Sequence, residues 1–268
     1  MRKFDSRLKN FAYLLYRWAK PFCDPLEFMA AGPRYVGFFR DWITYLKSEG
    51  AERTPLGDTY PIIHEKTEAT RFDAHYFYQD IWAFKKIMKS DADAHVDVGS
   101  RVDFVGFLAA VIPVTFIDIR PLEVTLENLV STKGSILSLP FEDGSLRSLS
   151  CLHVAEHVGL GRYGDTIDPL GTRKACSELS RVLTLDGNLY FTVPVGKPRV
   201  CFNSHRIHSP FQILEYFHDL TLVEFSGIGD NRRYVKNCDM SLFEQYDFAC
   251  GLFHFKNMRE FKLNKDAV

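Results

Sequence analysis

His153, Glu156 and His157 stand together in the run HVAEHVG. On a helix the two histidines lie one turn apart and share a face. A neutral imidazole takes a proton from a hydroxyl, and its pKa is ordinarily about 6.5. The first chemistry this segment offers is therefore general base catalysis, with a rate that rises as pH passes through that value. The H-x-x-E-H order also has the form of an inverted zincin helix. No third ligand stands at a suitable spacing, so the segment is read without a metal. GLGRYGDTIDPLG follows directly, and its Arg162, Tyr163 and Asp165 offer contacts to a sugar or a phosphate. Further on, VCFNSHRIHSP adds Asn203, His205 and Arg206; a guanidinium suits a carboxylate or a phosphate. Upstream, HVDVGSRVDF places Asp97 and Gly99 where a nucleotide-binding turn needs them, but Arg101 stands where Gly-x-Gly has its second glycine.

These residues need a scaffold, and the chain supplies one in two parts. Residues 1–90 read as a mostly helical N-terminal extension. Phe38, Phe39, Trp42, Ile43 and Leu46 recur at helical spacing before Gly50, and DAHYFYQDIWAFKKIMK is amphipathic again. From residue 91 to 268 short β-rich runs alternate with helical ones. AHVDVG, VTFIDI, GSILSLPF, SLRSLSCLHV and NLYFTVPV read as strands. VDFVGFLAAV, PLEVTLENLV and TRKACSELSRVL read as the helices between them. LTLVEFSGI and FEQYDFACGLFHFKN add two more strands near the end. That alternation predicts a mostly parallel sheet covered on both faces, with its ligand at the carboxyl ends of the strands.

Composition narrows the classes further. The 268 residues carry 33 basic and 34 acidic side chains, a net charge of −1, so no global field draws nucleic acid. The six cysteines form no C-x-x-C pair and read as free thiols of a reducing cytoplasm. No apolar run reaches the ~20 residues of a membrane helix. The N-terminal RLKNFAYLLYRWAKPF is basic and amphipathic. A plain docking helix is its default reading, with contact to a membrane surface or a partner subunit as the alternative.

HVDVGS, FIDIRP, LPFEDGSLRSLSCLHVAEHV and ELSRVLTLDGNLYFTVP, spanning residues 94–196, together resemble the class I S-adenosylmethionine-dependent methyltransferases, in particular the ubiquinone- and menaquinone-biosynthesis subgroup. HYFYQDIW, GLGRYGD and FNSHRIHSP are similar to a branch associated with bacterial surface-polysaccharide genes. The resemblance implies a Rossmann-like α/β fold: a mostly parallel seven-stranded sheet with an antiparallel last strand. It implies S-adenosylmethionine as cofactor, held by Asp97, Gly99, Ser100, Asp118, Ile119, Ser135, Ile136 and His153, with Tyr78 folded over it. Asp118 lies about 20 residues after the turn, where a carboxylate accepts both ribose hydroxyls. Ser135 and Ile136 stand where the family often has Asp-Ala. Arg101 has three courses open: to point outward, to pair with Asp103, or to meet the methionine end of the cofactor. His157, His153 and Glu156 fall where the methyl acceptor meets the donor, His157 as the preferred base. Arg162, Tyr163, Asp165, Asn203, His205 and Arg206 are the substrate contacts. The expected activity is methyl transfer to a small-molecule or carbohydrate acceptor, at oxygen, in the cytoplasm. Two rivals remain: a degenerate methyltransferase fold serving as a binding or scaffold protein, and a dinucleotide or nucleotide-sugar enzyme, against which the absent G-x-G-x-x-G counts.

Overall fold

Strands buried on both sides need apolar residues at successive positions, and the central strands here have them. In the computed structural model, which describes residues 24–258 together with residues 12, 15 and 16, β5 (Leu183–Val195) sends Phe191 and Val193 to one face and Tyr190 to the other. β10 (Ala249–Lys256) divides in the same way, Phe253 and Phe255 against Leu252. The chain forms two compact units, residues 1–71 and 72–268.

The second unit carries the sheet. Its strands are β1 (His95–Val98), β2 (Val114–Asp118), β3 (Leu129–Lys133), β4 (Leu146–Leu152), β5, β8 (Thr221–Ile228), β9 (Tyr234–Val235) and β10. Their order across the sheet is β3-β2-β1-β4-β5-β10-β8-β9. β3, β2, β1, β4 and β5 run parallel, and β10 enters antiparallel between β5 and β8. This is the doubly wound arrangement with a reversed last strand, plus the two-residue edge strand β9. A separate hairpin pairs β6 (Arg199–Cys201) with β7 (His205–Ile207).

Helices cover both faces. On one, α4 (Gly171–Val182) and α5 (Pro210–Tyr216) bury Ala175, Cys176, Leu179, Val182 and Ile213. On the other, α2 (Ala74–Lys89) and α3 (Val102–Ala109) bury Trp82, Ala83, Ile87, Phe104, Val105 and Leu108. Asp73 caps α2, accepting from the backbone N–H groups of His75 and Tyr76 at 2.9 and 3.3 Å. At its far end the Trp82 indole and the Lys86 ammonium both donate to Glu224 of β8, at 3.1 and 2.6 Å. α2 thus belongs to the sheet unit, and the sequence-based division at residue 90 falls after it.

The expected helix over PLEVTLENLV does not form. Residues 119–128 are irregular, and the third strand is Leu129–Lys133 rather than GSILSLPF, where only a Ser135–Ser138 bridge occurs. Val124 and Leu126 are exposed, so the segment has no buried stripe to repay helix formation.

The first unit contains α1 (Pro25–Leu46), capped by Asp24, and none of its side chains is buried. The basic N-terminal segment lies largely outside the described residues. Among those described, no helix is long and apolar enough to cross a membrane. The five described cysteines are all free.

Candidate active site at the carboxyl ends of the strands

β1 ends at Val98, and the chain turns sharply at Gly99. The turn requires φ +69°, and a Cβ there would meet Val154 Cγ1 at 3.0 Å and Asp118 Oδ2 at 3.6 Å. Glycine is the residue that meets both conditions. Asp97 is fully buried beneath this turn and accepts from the backbone N–H and hydroxyl of Ser100 at 3.0 and 2.7 Å, and from the Ser150 hydroxyl. Burial pushes its carboxyl up to about 6 against the pull of these hydrogen bonds. The Ser100 hydroxyl in turn accepts from the Leu152 backbone N–H at 3.0 Å. Asp97 and Ser100 therefore pin the turn to β4 from below, and neither lines the cavity above it.

That cavity is lined on one side by Gly99, Asp118, Ile119, Arg120, Ser135 and Ile136, and on the other by His153, Val154, His157, Tyr163 and Asp165. Asp118 closes β2 and accepts from the Arg120 backbone N–H at 2.7 Å. The Ser135 hydroxyl accepts from Leu137 N–H at 3.2 Å. The expected ribose and adenine residues thus meet the expected acceptor residues in one space.

Of its three courses Arg101 takes the pairing with Asp103, and it does not line the cavity. Its guanidinium pairs with Asp103 at 2.8 Å and lies 4.9 Å from the centre of the Tyr76 ring. Arg101→Gly is accordingly expected to leave S-adenosylhomocysteine affinity within about twofold, since surface ion pairs contribute ~0–1 kcal/mol. Titration calorimetry of the two proteins checks this, and a tenfold loss would place the guanidinium on the ligand.

The histidines are set by different neighbours. His157 Nδ1–H donates to the Ser204 carbonyl at 2.6 Å, and its Nε2 lies 3.6 Å from Glu156 Oε1. Burial pushes His157 down to about 4. His153 directs Nδ1 to Gln79 Oε1 at 2.7 Å, and its Nε2 is buried without a partner. Burial, then the neighbouring His75, His157 and His205, holds His153 well below the ordinary imidazole range. The rise of rate with pH expected near 6.5 is corrected accordingly: both rings are already neutral there. Glu156 is fully buried, neither of its oxygens has a partner, and burial pushes it up to about 8. Burial thus favours its protonated form beside His157.

The remaining expected contacts divide. Asp165 organises its own loop, accepting from the backbone N–H groups of Gly159, Tyr163 and Gly161 at 2.7, 3.2 and 3.3 Å. Tyr163 lies between two guanidiniums, Arg120 at 4.4 Å and Arg162 at 5.1 Å from its ring centre. This stack joins the two sides of a cavity of about 130 Å³. Clefts for small molecules typically hold ~300–1,000 Å³, and this cavity is smaller.

Arg206 is buried and donates to the Val158 and Asp168 carbonyls at 2.5 and 3.0 Å, so it braces the loop rather than facing a ligand. Tyr78 is outside the cavity, stacked 5.7 Å from Tyr234. Residues two apart on a helix do not share a face, and it is Tyr76 whose ring lies 5.5 Å from His153. Asn203 is exposed in the β6–β7 turn, and the His205 ring packs 5.1 Å from Phe248. Sequence reasoning missed Arg120 and Val154, although each directly follows a residue it named or adjoins one. It also gave no role to Thr192 in the middle of an apolar strand. Among the described residues no group of three or more His, Cys, Asp or Glu side chains is arranged to hold a metal ion.

With this geometry in hand, the class is defined: a Rossmann-like α/β protein of the methyltransferase fold. The [4+2]-cyclase SpnF matches with a TM-score of 0.53 at 13% identity, over 73% of this chain and 86% of its own. A protein from Galdieria sulphuraria assigned as a sarcosine dimethylglycine methyltransferase matches with a TM-score of 0.50 at 13% identity, over 68% of this chain and 86% of its own. Residues 145–240 match the family model DUF268, described as a Caenorhabditis protein of unknown function. No curated protein matches the sequence. One neighbour is described as a cyclase and the other as a methyltransferase, so the fold does not by itself fix the reaction.

Proposed function

We propose that the protein is an S-adenosylmethionine-dependent methyltransferase acting on the oxygen of a small-molecule or carbohydrate acceptor. The observation that carries this reading is the single cavity between Gly99 and Asp118 on one wall and His153 and His157 on the other. The tight turn at Gly99, where a Cβ would crowd Val154, and the Asp118 carboxylate beside it fit the ribose end of the cofactor. When bound, that cofactor supplies an electrophilic methyl group. The chain's own part is alignment and proton transfer. Asp118 accepts the ribose hydroxyls, and Ser135 and Ile136 flank the base. His153 Nε2, which has no partner, takes the acceptor proton in place of the expected His157, whose Nδ1 is held by the Ser204 carbonyl and whose Nε2 lies beside Glu156. Tyr163, with Arg162 at the rim, contacts the acceptor. The protein works in the cytoplasm, with the basic N-terminal segment available to a membrane surface or a partner subunit. The similarity of HYFYQDIW and FNSHRIHSP to the surface-polysaccharide branch favours a sugar acceptor.

The degenerate reading also has an observation behind it, namely the small cavity bridged by Arg120 and Tyr163. Calorimetry with S-adenosylmethionine, S-adenosylhomocysteine and NAD in parallel decides. Binding of the first two at micromolar affinity, without NAD, supports methyl transfer. Binding of none supports the degenerate fold, and NAD alone would move the protein to dinucleotide chemistry.

A further inference from the structure

Gln79 is the one fully buried amide of α2, and it lies where three elements meet. Its Oε1 accepts from the Thr192 hydroxyl of β5 at 2.7 Å and from His153 Nδ1 at 2.7 Å. Its Nε2 donates to Asp80 Oδ1 at 3.1 Å. This last bond fixes which end of the amide is which: the NH2 must face the carboxylate, so the oxygen must face the histidine. An amide oxygen only accepts, and the His153 proton therefore sits on Nδ1.

The consequence falls on the other nitrogen. His153 Nε2 is buried with no hydrogen-bond partner, on a ring that lines the cavity. An unpaired buried acceptor costs ~1–3 kcal/mol, and such groups call for an explanation. The backbone adds a second sign of constraint. His153 has φ +56°, the left-handed region that a non-glycine residue rarely takes, and its N–H donates to the Thr192 carbonyl at 2.9 Å. Backbone and ring are thus both tied to Thr192 and Gln79.

We propose that Gln79 is a positioning residue: its side-chain oxygen holds the His153 proton on Nδ1 and leaves Nε2 as the bare acceptor nitrogen for a hydroxyl-bearing substrate. This rests on the reading of His153 as the base. A hydrogen bond that selects the tautomer of a catalytic imidazole sets which nitrogen can act. The groups that face the ring are His75 and Tyr76 of α2, Thr192 of β5, Cys250 of β10, His205 of β7 and His157 of its own segment. None is a carboxylate in contact with Nδ1, so the amide sets the tautomer without charging the ring.

The test is nitrogen-detected NMR of His153 in the full chain at pH 7.5, in three proteins. The wild type is expected to show a protonated Nδ1 and an unprotonated Nε2. Gln79→Glu keeps an acceptor for Nδ1–H and should retain that tautomer, with the ring titrating at higher pH than in the wild type. Gln79→Met removes the nearer acceptor and leaves only the Thr192 hydroxyl, 3.1 Å from Nδ1, so the population should shift toward Nε2–H. A wild-type ring protonated on Nε2 overturns the proposal, as does a Gln79→Met protein whose Nδ1–H tautomer is unchanged. The wild-type spectrum needs no variant, so misfolding of Gln79→Met leaves the proposal open to refutation. S-Adenosylhomocysteine titrated into the same samples keeps the two readings apart. Absence of binding counts against methyl transfer, whereas the tautomer reports on Gln79 alone.

Discussion

His153→Ala is expected to lower methyl-transfer turnover by about 10²–10⁴-fold, the usual loss when a general base is removed. S-Adenosylhomocysteine affinity should stay within a few-fold, because Nδ1 is engaged by Gln79 and Nε2 has no partner to lose. His157→Ala should cost less in turnover and more in acceptor KM. Its Nδ1 is committed to the Ser204 carbonyl and its Nε2 lies beside Glu156, so it orders the acceptor wall. The pH profile separates the two roles further. A base must be neutral, and a ring whose pKa is lowered becomes neutral at lower pH than usual. Burial and the surrounding histidines lower His153, so its inflection should move to lower pH and be absent near the ~6.5 of an ordinary imidazole. Turnover and cofactor binding measured on both variants, with an acceptor found by screening sugars and sugar nucleotides, check this. Equal loss of binding and turnover in His153→Ala would make the residue structural, and an inflection near 6.5 would put the proton elsewhere.

The residues that specify the fold could be read in sequence because their reasons are local. Gly99 follows a β-rich run, Asp118 ends the next one, and the helix at 171–182 shows its apolar stripe directly. The helix expected at 121–130 failed because Leu122, Leu126, Leu129 and Val130 satisfy a helical count, yet Leu126 and Val130 face solvent, and only tertiary packing decides that. The site was legible as a set of segments but not as a set of contacts. HVAEHV put both histidines on one segment, and both line the cavity, but their hydrogen bonds depend on Gln79 and Ser204, each far away along the chain. Arg206 illustrates the opposite case. A guanidinium in a polar loop looks like a phosphate ligand until its carbonyl partners at Val158 and Asp168 are known. Tyr78 shows how coarse a motif is beside helical geometry, since its neighbour Tyr76 faces His153 while it stacks on Tyr234.

Asp118→Ala is expected to weaken S-adenosylhomocysteine binding roughly ten- to a hundredfold, the ~1.5–3 kcal/mol of a hydrogen bond to a charged group. The side chain lines the cavity, and one carboxylate oxygen lies 3.6 Å from where a Gly99 Cβ would be. The only protein hydrogen bond among the described residues that depends on it is the one from Arg120 N–H, at an exposed turn, so the fold and its melting temperature should be nearly unchanged. Asp118→Asn divides the effect. Its amide oxygen can still accept from Arg120, so the turn survives, while the charge that favours two hydroxyl donors is lost. An affinity between those of wild type and Asp118→Ala therefore assigns the binding energy to the carboxylate rather than to loop order. A ribose is common to S-adenosylmethionine and NAD, so the series is run with both. Loss confined to the sulfur ligand supports methyl transfer, and a parallel loss of NAD binding would favour the dinucleotide rival. Unchanged affinity in a folded Asp118→Ala protein would remove the ribose assignment and with it the placement of the cofactor over β1 and β2.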